Sequence, residues 1–231
     1  MEKTAKTTVF NLIILDESGS MSPLTQQTVD GCNETLNVIR SLTKKYGDTQ
    51  RNLVSIYLFQ DNAEIPSRYI YKNKLIADIP DMTTEIYRPW GATPLLDAVG
   101  STLVDLRAVA STHEDSTAIV TIITDGMENA SRHYTYDQVA RLISELKEKG
   151  WTFNFIGANI DVDTISKRMH IDNAMAFNST VGGTKAMWSA FSTRLSAHEE
   201  RRIQAEMDAP ALSAEERTHL RKKNSKRFFD L

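Results

Sequence analysis

The chain has 231 residues, 41% of them hydrophobic and 25% charged, and a formal net charge of −3. That balance suits a folded globular chain rather than a disordered one, and it excludes a protein that is basic throughout and grips phosphates over its whole surface. A single cysteine, Cys32, excludes an intrachain disulfide framework and a Cys-rich zinc module, and no apolar run approaches the roughly 20 residues that span a bilayer.

The first element is residues 9–15, VFNLIIL, a near-continuous apolar run that predicts a strand buried on both faces. Interrupted by Asn11, it is too short for a signal-peptide core, so the expected location is cytoplasmic, in a reducing compartment. Next, Val29, Cys32, Leu36, Ile39 and Leu42 form a stripe at helical spacing. A second strand is predicted over 53–59. Residues 65–75 carry Pro66, Tyr69, Ile70 and Tyr71 among polar neighbours, which suits a short edge strand or hairpin. Thr93 before Pro94 reads as a helix N-cap followed by proline at the first helical position, ahead of the stripe Leu95, Val99, Leu103 and Leu106.

Residues 118–123 predict a third core strand. The helix carrying Val139, Leu142, Ile143 and Leu146 is well punctuated: Thr135 and Gln138 have capping-box spacing, and Gly150 follows Lys147 and Lys149 as a stop. Strands at 151–156 and 174–177 and a helix at 185–204, with Met187, Phe191 and Leu195 on one face, complete the alternation. Pro210 then breaks the pattern. Residues 217–227 gather Arg217, Arg221, Lys222, Lys223, Lys226 and Arg227 with no acid between them, and Phe228 and Phe229 offer a means of pinning the tail to the core or to another subunit. The predicted architecture is α/β: a doubly wound, mostly parallel sheet with helices on both faces. The working division is a domain over 1–206 and a charged C-terminal tail over 207–231, by default solvated or frayed.

In open α/β sheets, ligands sit in the crevice beyond the carboxyl ends of the strands. After the first strand comes Asp16-Glu17-Ser18-Gly19-Ser20; after the third core strand comes Thr124-Asp125-Gly126; before the second periodic helix comes Gly91-Ala92-Thr93. Two carboxylates and three hydroxyls thus face one rim, all hard oxygen donors suited to a small hard cation, most simply Mg²⁺. Zinc is disfavoured, because the five histidines show no ligand spacing. Hydroxyls are neutral ligands, so with only one carboxylate bound directly the ion would keep net positive charge, and its open positions would attract an incoming carboxylate. Glu17 and Glu128 flank these loops; they would strengthen cation capture yet repel an acidic partner. Met21 and the stretch Tyr87-Arg88-Pro89-Trp90 lie close to the site in sequence, as interface anchors or as core.

Asp16-x-Ser18-x-Ser20 after a first hydrophobic strand, then Thr93, then Asp125-Gly126 after a later strand, resembles the von Willebrand factor A domain family, and in particular its single-domain bacterial members. The resemblance covers about residues 6–200 and implies a Rossmann-like sheet with one short antiparallel edge strand. It implies a metal-ion-dependent adhesion site (MIDAS) in which Ser18, Ser20 and Thr93 supply hydroxyl ligands, Asp16 and Asp125 bind directly or through water, and a Glu or Asp of a protein partner completes the coordination of Mg²⁺, or of Mn²⁺. The expected function is a non-catalytic, metal-dependent protein-binding module. A regulatory subunit beside an AAA+ ATPase, or in a chelatase or stress-response complex, is the alternative. A Mg²⁺-dependent phosphoryl-transfer enzyme is weaker still, since there is no Gly-rich phosphate loop and no nucleophile elbow. Neither a membrane nor nucleic acid is an expected partner, although the basic stretch 217–227 is the one feature that could meet the latter.

Overall fold

The computed structural model describes residues 6–209 and 212–230. Six strands form one sheet: β1 (Thr7–Asp16), β2 (Gln50–Phe59), β3 (Arg68–Leu75), β4 (Ser116–Thr124), β5 (Thr152–Gly157) and β6 (Asn173–Ala176), in the order β3-β2-β1-β4-β5-β6. All neighbours are parallel except β2 and β3, which run antiparallel with a register irregularity near Ile56. The expected mostly parallel sheet with one antiparallel edge strand is therefore present. Strand order reverses between β1 and β4, and this is where a doubly wound sheet opens its crevice.

Every residue of β1 is buried, as a strand covered on both faces requires. Its alternate side chains serve two cores. Phe10, Leu12 and Ile14 join the layer formed by α2 (Leu95–Ala110), α3 (Tyr136–Lys147) and α4 (Val162–Arg168). Ile13 and Leu15 join the opposite layer, formed by α1 (Thr25–Tyr46) and α5 (Val181–Met207). Asn11, the polar interruption in this strand, donates to Asn52 Oδ1 at 3.2 Å across the β1–β2 pair. Cys32 is a free, buried thiol in the α1 layer. A Cβ on Gly31 would come within 2.0 Å of the Trp188 ring, so the missing side chain is what lets α5 seat its indole against α1.

The predicted capping box of α3 is present, and Gly150 adopts φ +79° after it, in the left-handed region that favours glycine. Two expectations change. The segment before α2 is not an N-cap with a helical proline: Pro94 itself stands at the cap position with φ −81° and ψ 62°, the cap residue supplies no side-chain hydrogen bond, and α2 begins at Leu95. Thr93 is thereby released from capping. The second change concerns the tail, where Ala214–Ser225 forms α6, opened by a Ser213/Glu216 capping box.

Helix α6 is fastened, not frayed. Its Arg221 is buried and binds Asp115 at 2.7 Å and Glu206 at 2.8 Å, while Arg217 binds Asp115 at 3.0 Å. Arg202 of α5, also buried, binds Glu199 at 2.8 Å and Glu206 at 3.1 Å and donates to Gln50. Lys222 pairs with Glu148 at 2.6 Å. Much of the basic stretch is thus matched by acids of the core. Phe228 is fully buried and stacks on Phe191 with centroids 5.7 Å apart, as a pinned tail predicts. Pro210, the expected break, lies outside the described residues. No helix among the described residues is long and apolar enough to cross a membrane.

Candidate metal centre

The three loops singled out in the sequence meet at the carboxyl end of β1 and β4, at the point of strand-order reversal. Asp16 ends β1 and is fully buried. Its Oδ1 accepts from the Ser18 amide at 2.7 Å, which curls the loop into a short turn. Its Oδ2 accepts from the Thr124 hydroxyl at 2.5 Å. Ser18 and Ser20 place their Oγ atoms 3.2 Å apart. Ser20 then donates to Asp125 Oδ1 at 2.5 Å, joining the β1 loop to the β4 loop.

Thr93 is held from both sides of its backbone. Its amide donates to Asn129 Oδ1 at 2.8 Å and its carbonyl accepts from the Asn129 amide at 3.2 Å. Gly91 accepts from the Gly19 amide at 3.0 Å, fixing the Thr93 loop to the serine loop. Gly91 has φ +74°, and a Cβ there would stand 2.5 Å from the Asp61 carbonyl, so glycine is required on both counts. The convergence is measured at Gly126. A Cβ built on that residue would lie 3.2 Å from Thr93 Oγ1, 3.6 Å from Ser20 Oγ and 4.0 Å from Asp16 Oδ2. Oxygens from the β1 loop and the Thr93 loop therefore border one small space that the glycine of the β4 loop leaves open. The predicted residues Asp16, Ser18, Ser20, Thr93 and Asp125 come together.

This donor set fits a hard divalent cation. It is built of hydroxyls and two carboxylates, which agrees with the lack, among the described residues, of any cluster of three or more His, Cys, Asp or Glu side chains placed to hold a metal. Burial pushes the Asp16 carboxyl up to about 6, opposed by the hydrogen bonds from Thr124 and Ser18. A positive charge among these oxygens would offset that desolvation.

The flanking acids behave differently from the expectation of free charges at the rim. Glu17 is fully buried and points into the protein: it binds Arg68 at 2.6 and 3.2 Å, the Gln60 amide group at 2.8 Å and the Arg88 backbone amide at 2.6 Å. Glu128 accepts from the amides of Leu96, Ala130 and Ser131 at 2.8–2.9 Å and so satisfies the uncapped start of α2. Glu17 is thus charge-paired, and Glu128 is held by neutral donors at the start of α2. Met21 and Tyr87 are core residues, with the Tyr87 hydroxyl donating to the Asp16 carbonyl at 2.6 Å, whereas Trp90 is exposed.

Three residues have supporting roles that the sequence reading did not assign. Thr124 and Asn129 lie beside the recognised motif without belonging to it. Ser179, just before α5, donates to Asp125 Oδ2 at 3.1 Å and has no motif to mark it.

No protein-family model matches the chain, and no curated protein does. The likeness is in three dimensions. The chain is similar to the von Willebrand factor type A protein from Catenulispora acidiphila, with TM-score 0.53 and 16% identity over 84% of this chain and 43% of that one. It is similar to the pilus adhesin SpaC from Lactobacillus rhamnosus GG in its open conformation, with TM-score 0.60 and 14% identity over 82% of this chain and 30% of that one. A third is proximal thread matrix protein 1 from the mussel byssus with a zinc-occupied MIDAS motif, at TM-score 0.52 and 13% identity over 80% and 44% of the two chains. This chain spans less than half the length of each.

Proposed function

We propose that this chain, which has the von Willebrand factor A fold, is a non-catalytic module that binds a protein partner through a divalent cation. The ion is Mg²⁺, with Mn²⁺, which shares its preference for oxygen ligands, as a substitute. Ser18, Ser20 and Thr93 would hold it through hydroxyls, and Asp16 and Asp125 directly or through water. When bound, the ion supplies a positive centre with positions left for an outside ligand, and a Glu or Asp of the partner fills one. The observation that carries this reading is the convergence of Thr93, Ser20 and Asp16 oxygens on the gap at Gly126, with Ser18 and Asp125 joined to that group through Ser20.

The chain's own residues set the site in advance. Thr124 and the Ser18 amide orient Asp16, Ser20 and Ser179 orient Asp125, and Asn129 clamps Thr93. Such outer hydrogen bonds fix the direction in which ligands present their lone pairs. The module proposed here runs to about residue 206, with 207–231 attached through Arg221 and Phe228. Service beside an AAA+ ATPase is a narrower form of the same reading.

Isothermal titration with Mg²⁺ and Mn²⁺, repeated on Asp16→Ala, tests the metal. Pull-downs with and without EDTA test the partner. Binding of one ion that Asp16→Ala abolishes, together with an EDTA-sensitive partner, is expected. Absence of metal uptake at millimolar Mg²⁺, or an Asp16→Ala variant that binds normally, would end this reading.

A further inference from the structure

Six large apolar side chains are exposed among the described residues, and three of them stand around the metal loops. Trp90 is 68% exposed, Met127 67% and Val181 55%. Each is tied to a different part of the site. The Trp90 amide donates to the Glu17 carbonyl at 2.8 Å, and Gly91, next in the chain, accepts from Gly19 between the two ligand serines. Met127 follows Gly126, whose space is bounded by Thr93 and Ser20. Val181 lies two residues beyond Ser179, which binds Asp125. The polar gap is thus bordered by three backbone segments that each carry an apolar side chain held out in water, an apolar ring in that sense.

We infer that this ring is a specificity surface, and that it selects a partner segment in which the acidic residue is flanked, within one or two positions on either side, by aromatic or branched aliphatic residues. The inference rests on the metal-dependent reading above and adds to it the chemistry of the partner. Charge supports one part: Glu17 is neutralised by Arg68 and Glu128 is tied to backbone amides, so the central acid meets the cation without a free carboxylate from either. Desolvation supports the other. Apolar flanks that cover Trp90, Met127 and Val181 would shield the ion–carboxylate contact from water, which strengthens it, and would bury apolar area that the free protein leaves exposed. Tryptophan is the residue type most often found at such binding centres. The ring is three separate side chains around a polar gap, not a continuous apolar face, and this favours a peptide segment over a lipid surface.

The test uses the full chain and a peptide library with one fixed central Asp or Glu and randomised flanking positions, selected in millimolar Mg²⁺, in EDTA and against the Trp90→Ala and Asp16→Ala variants. The two remaining tryptophans, Trp151 and Trp188, are buried, so quenching of intrinsic fluorescence by acrylamide reports on Trp90. The expected result is enrichment of aromatic and aliphatic flanks in Mg²⁺ only, protection of Trp90 by the selected peptides, and weakening of about tenfold or more in Trp90→Ala with Mg²⁺ uptake unchanged. Mg²⁺-dependent selection of the acid with no apolar preference would overturn the inference and leave the metal reading standing. Apolar selection that survives EDTA or Asp16→Ala would overturn both. So would preferential sedimentation of the protein with phosphatidylserine vesicles in place of peptide binding, because the ring would then serve a membrane.

Discussion

Gly126→Ala separates the metal site from the fold that carries it. Gly126 is not among the glycines with positive φ, so its backbone admits alanine. Replacing glycine at such a position restricts the unfolded chain and stabilises by about 0.4–1 kcal/mol. Against this stands the contact at 3.2 Å with Thr93 Oγ1, tight by a few tenths of an ångström, while the contacts at 3.6 Å and 4.0 Å with Ser20 and Asp16 are ordinary. The two effects are of similar size, so the net change in stability is expected to stay within about 1 kcal/mol. Metal binding is another matter. Mg²⁺ needs oxygens at about 2.0–2.1 Å, and a methyl group among Thr93, Ser20 and Asp16 keeps them from closing on one. Loss of affinity by about 100-fold or more is expected, the upper end for disturbing the groups around a metal. With Mg²⁺ at a hundred times its Kd, the wild type gains about 2.7 kcal/mol, which for a chain of this size is a rise of roughly 5–10 °C in Tm. Thermal melts with and without Mg²⁺, paired with titration calorimetry, read both quantities. A Gly126→Ala protein that keeps the Mg²⁺ shift would refute the placement of the ion, and one that loses several kcal/mol without metal would refute the reasoning about the contact.

Two further outcomes concern the opposite end of the sheet. Arg202→Met leaves Glu199 buried without its ion pair and should cost about 3–5 kcal/mol in urea unfolding, whereas Arg202→Met with Glu199→Leu should recover most of that loss; equal costs for the two would show that the pair is not the source. His198 is buried beside Glu199 and Arg202, and desolvation first of all lowers its pKa from an ordinary 6.5 to about 4. The folded state therefore resists protonation that the unfolded state accepts, so stability is full above pH 6.5 and falls as pH drops toward 4. Between pH 7 and 5 His198 by itself should contribute a loss of about 2 kcal/mol, ahead of the carboxylates Asp115, Glu199 and Glu206, whose lowered values place their losses at more acid pH. Without metal, Asp16, raised to about 6, acts with the opposite sign over the same range, because its folded carboxyl takes up a proton that the unfolded one does not. Chemical denaturation across that range should therefore show the His198 contribution as the difference between the wild type and His198→Gln, and equal pH profiles for the two would refute it.

What the sequence revealed followed burial and spacing. β1 was legible because a strand covered on both faces is apolar throughout, and α1, α2 and α3 because each buries one stripe. The edge strand was visible in its mixed composition. Helix α4 was not foreseen: at seven residues it offers too few turns to establish a period. Helix α6 was hidden for a different reason, since it docks through a buried arginine and acids far away in the chain, and hydropathy reads Arg221 as solvent-facing. The same limit applied at the site. The five ligand candidates carry a recognisable order, but the inward turn of Glu17 depends on Arg68, fifty-one residues on, and the Ser179 contact on a fold that brings the start of α5 beside β4.

The fork between Arg68 and Glu17 has a practical meaning for anyone who would redesign this protein. The outermost strand looks expendable, a peripheral hairpin that could be trimmed or exchanged for a graft. Yet its first residue braces the turn that bears Asp16 and Ser18, and it also grips the carbonyl of Ile86 at 2.9 Å in the segment leading to Trp90. Removing that strut would strand an anion in the interior and loosen two walls of the crevice at once, so the margin of the sheet is part of the machinery at its centre.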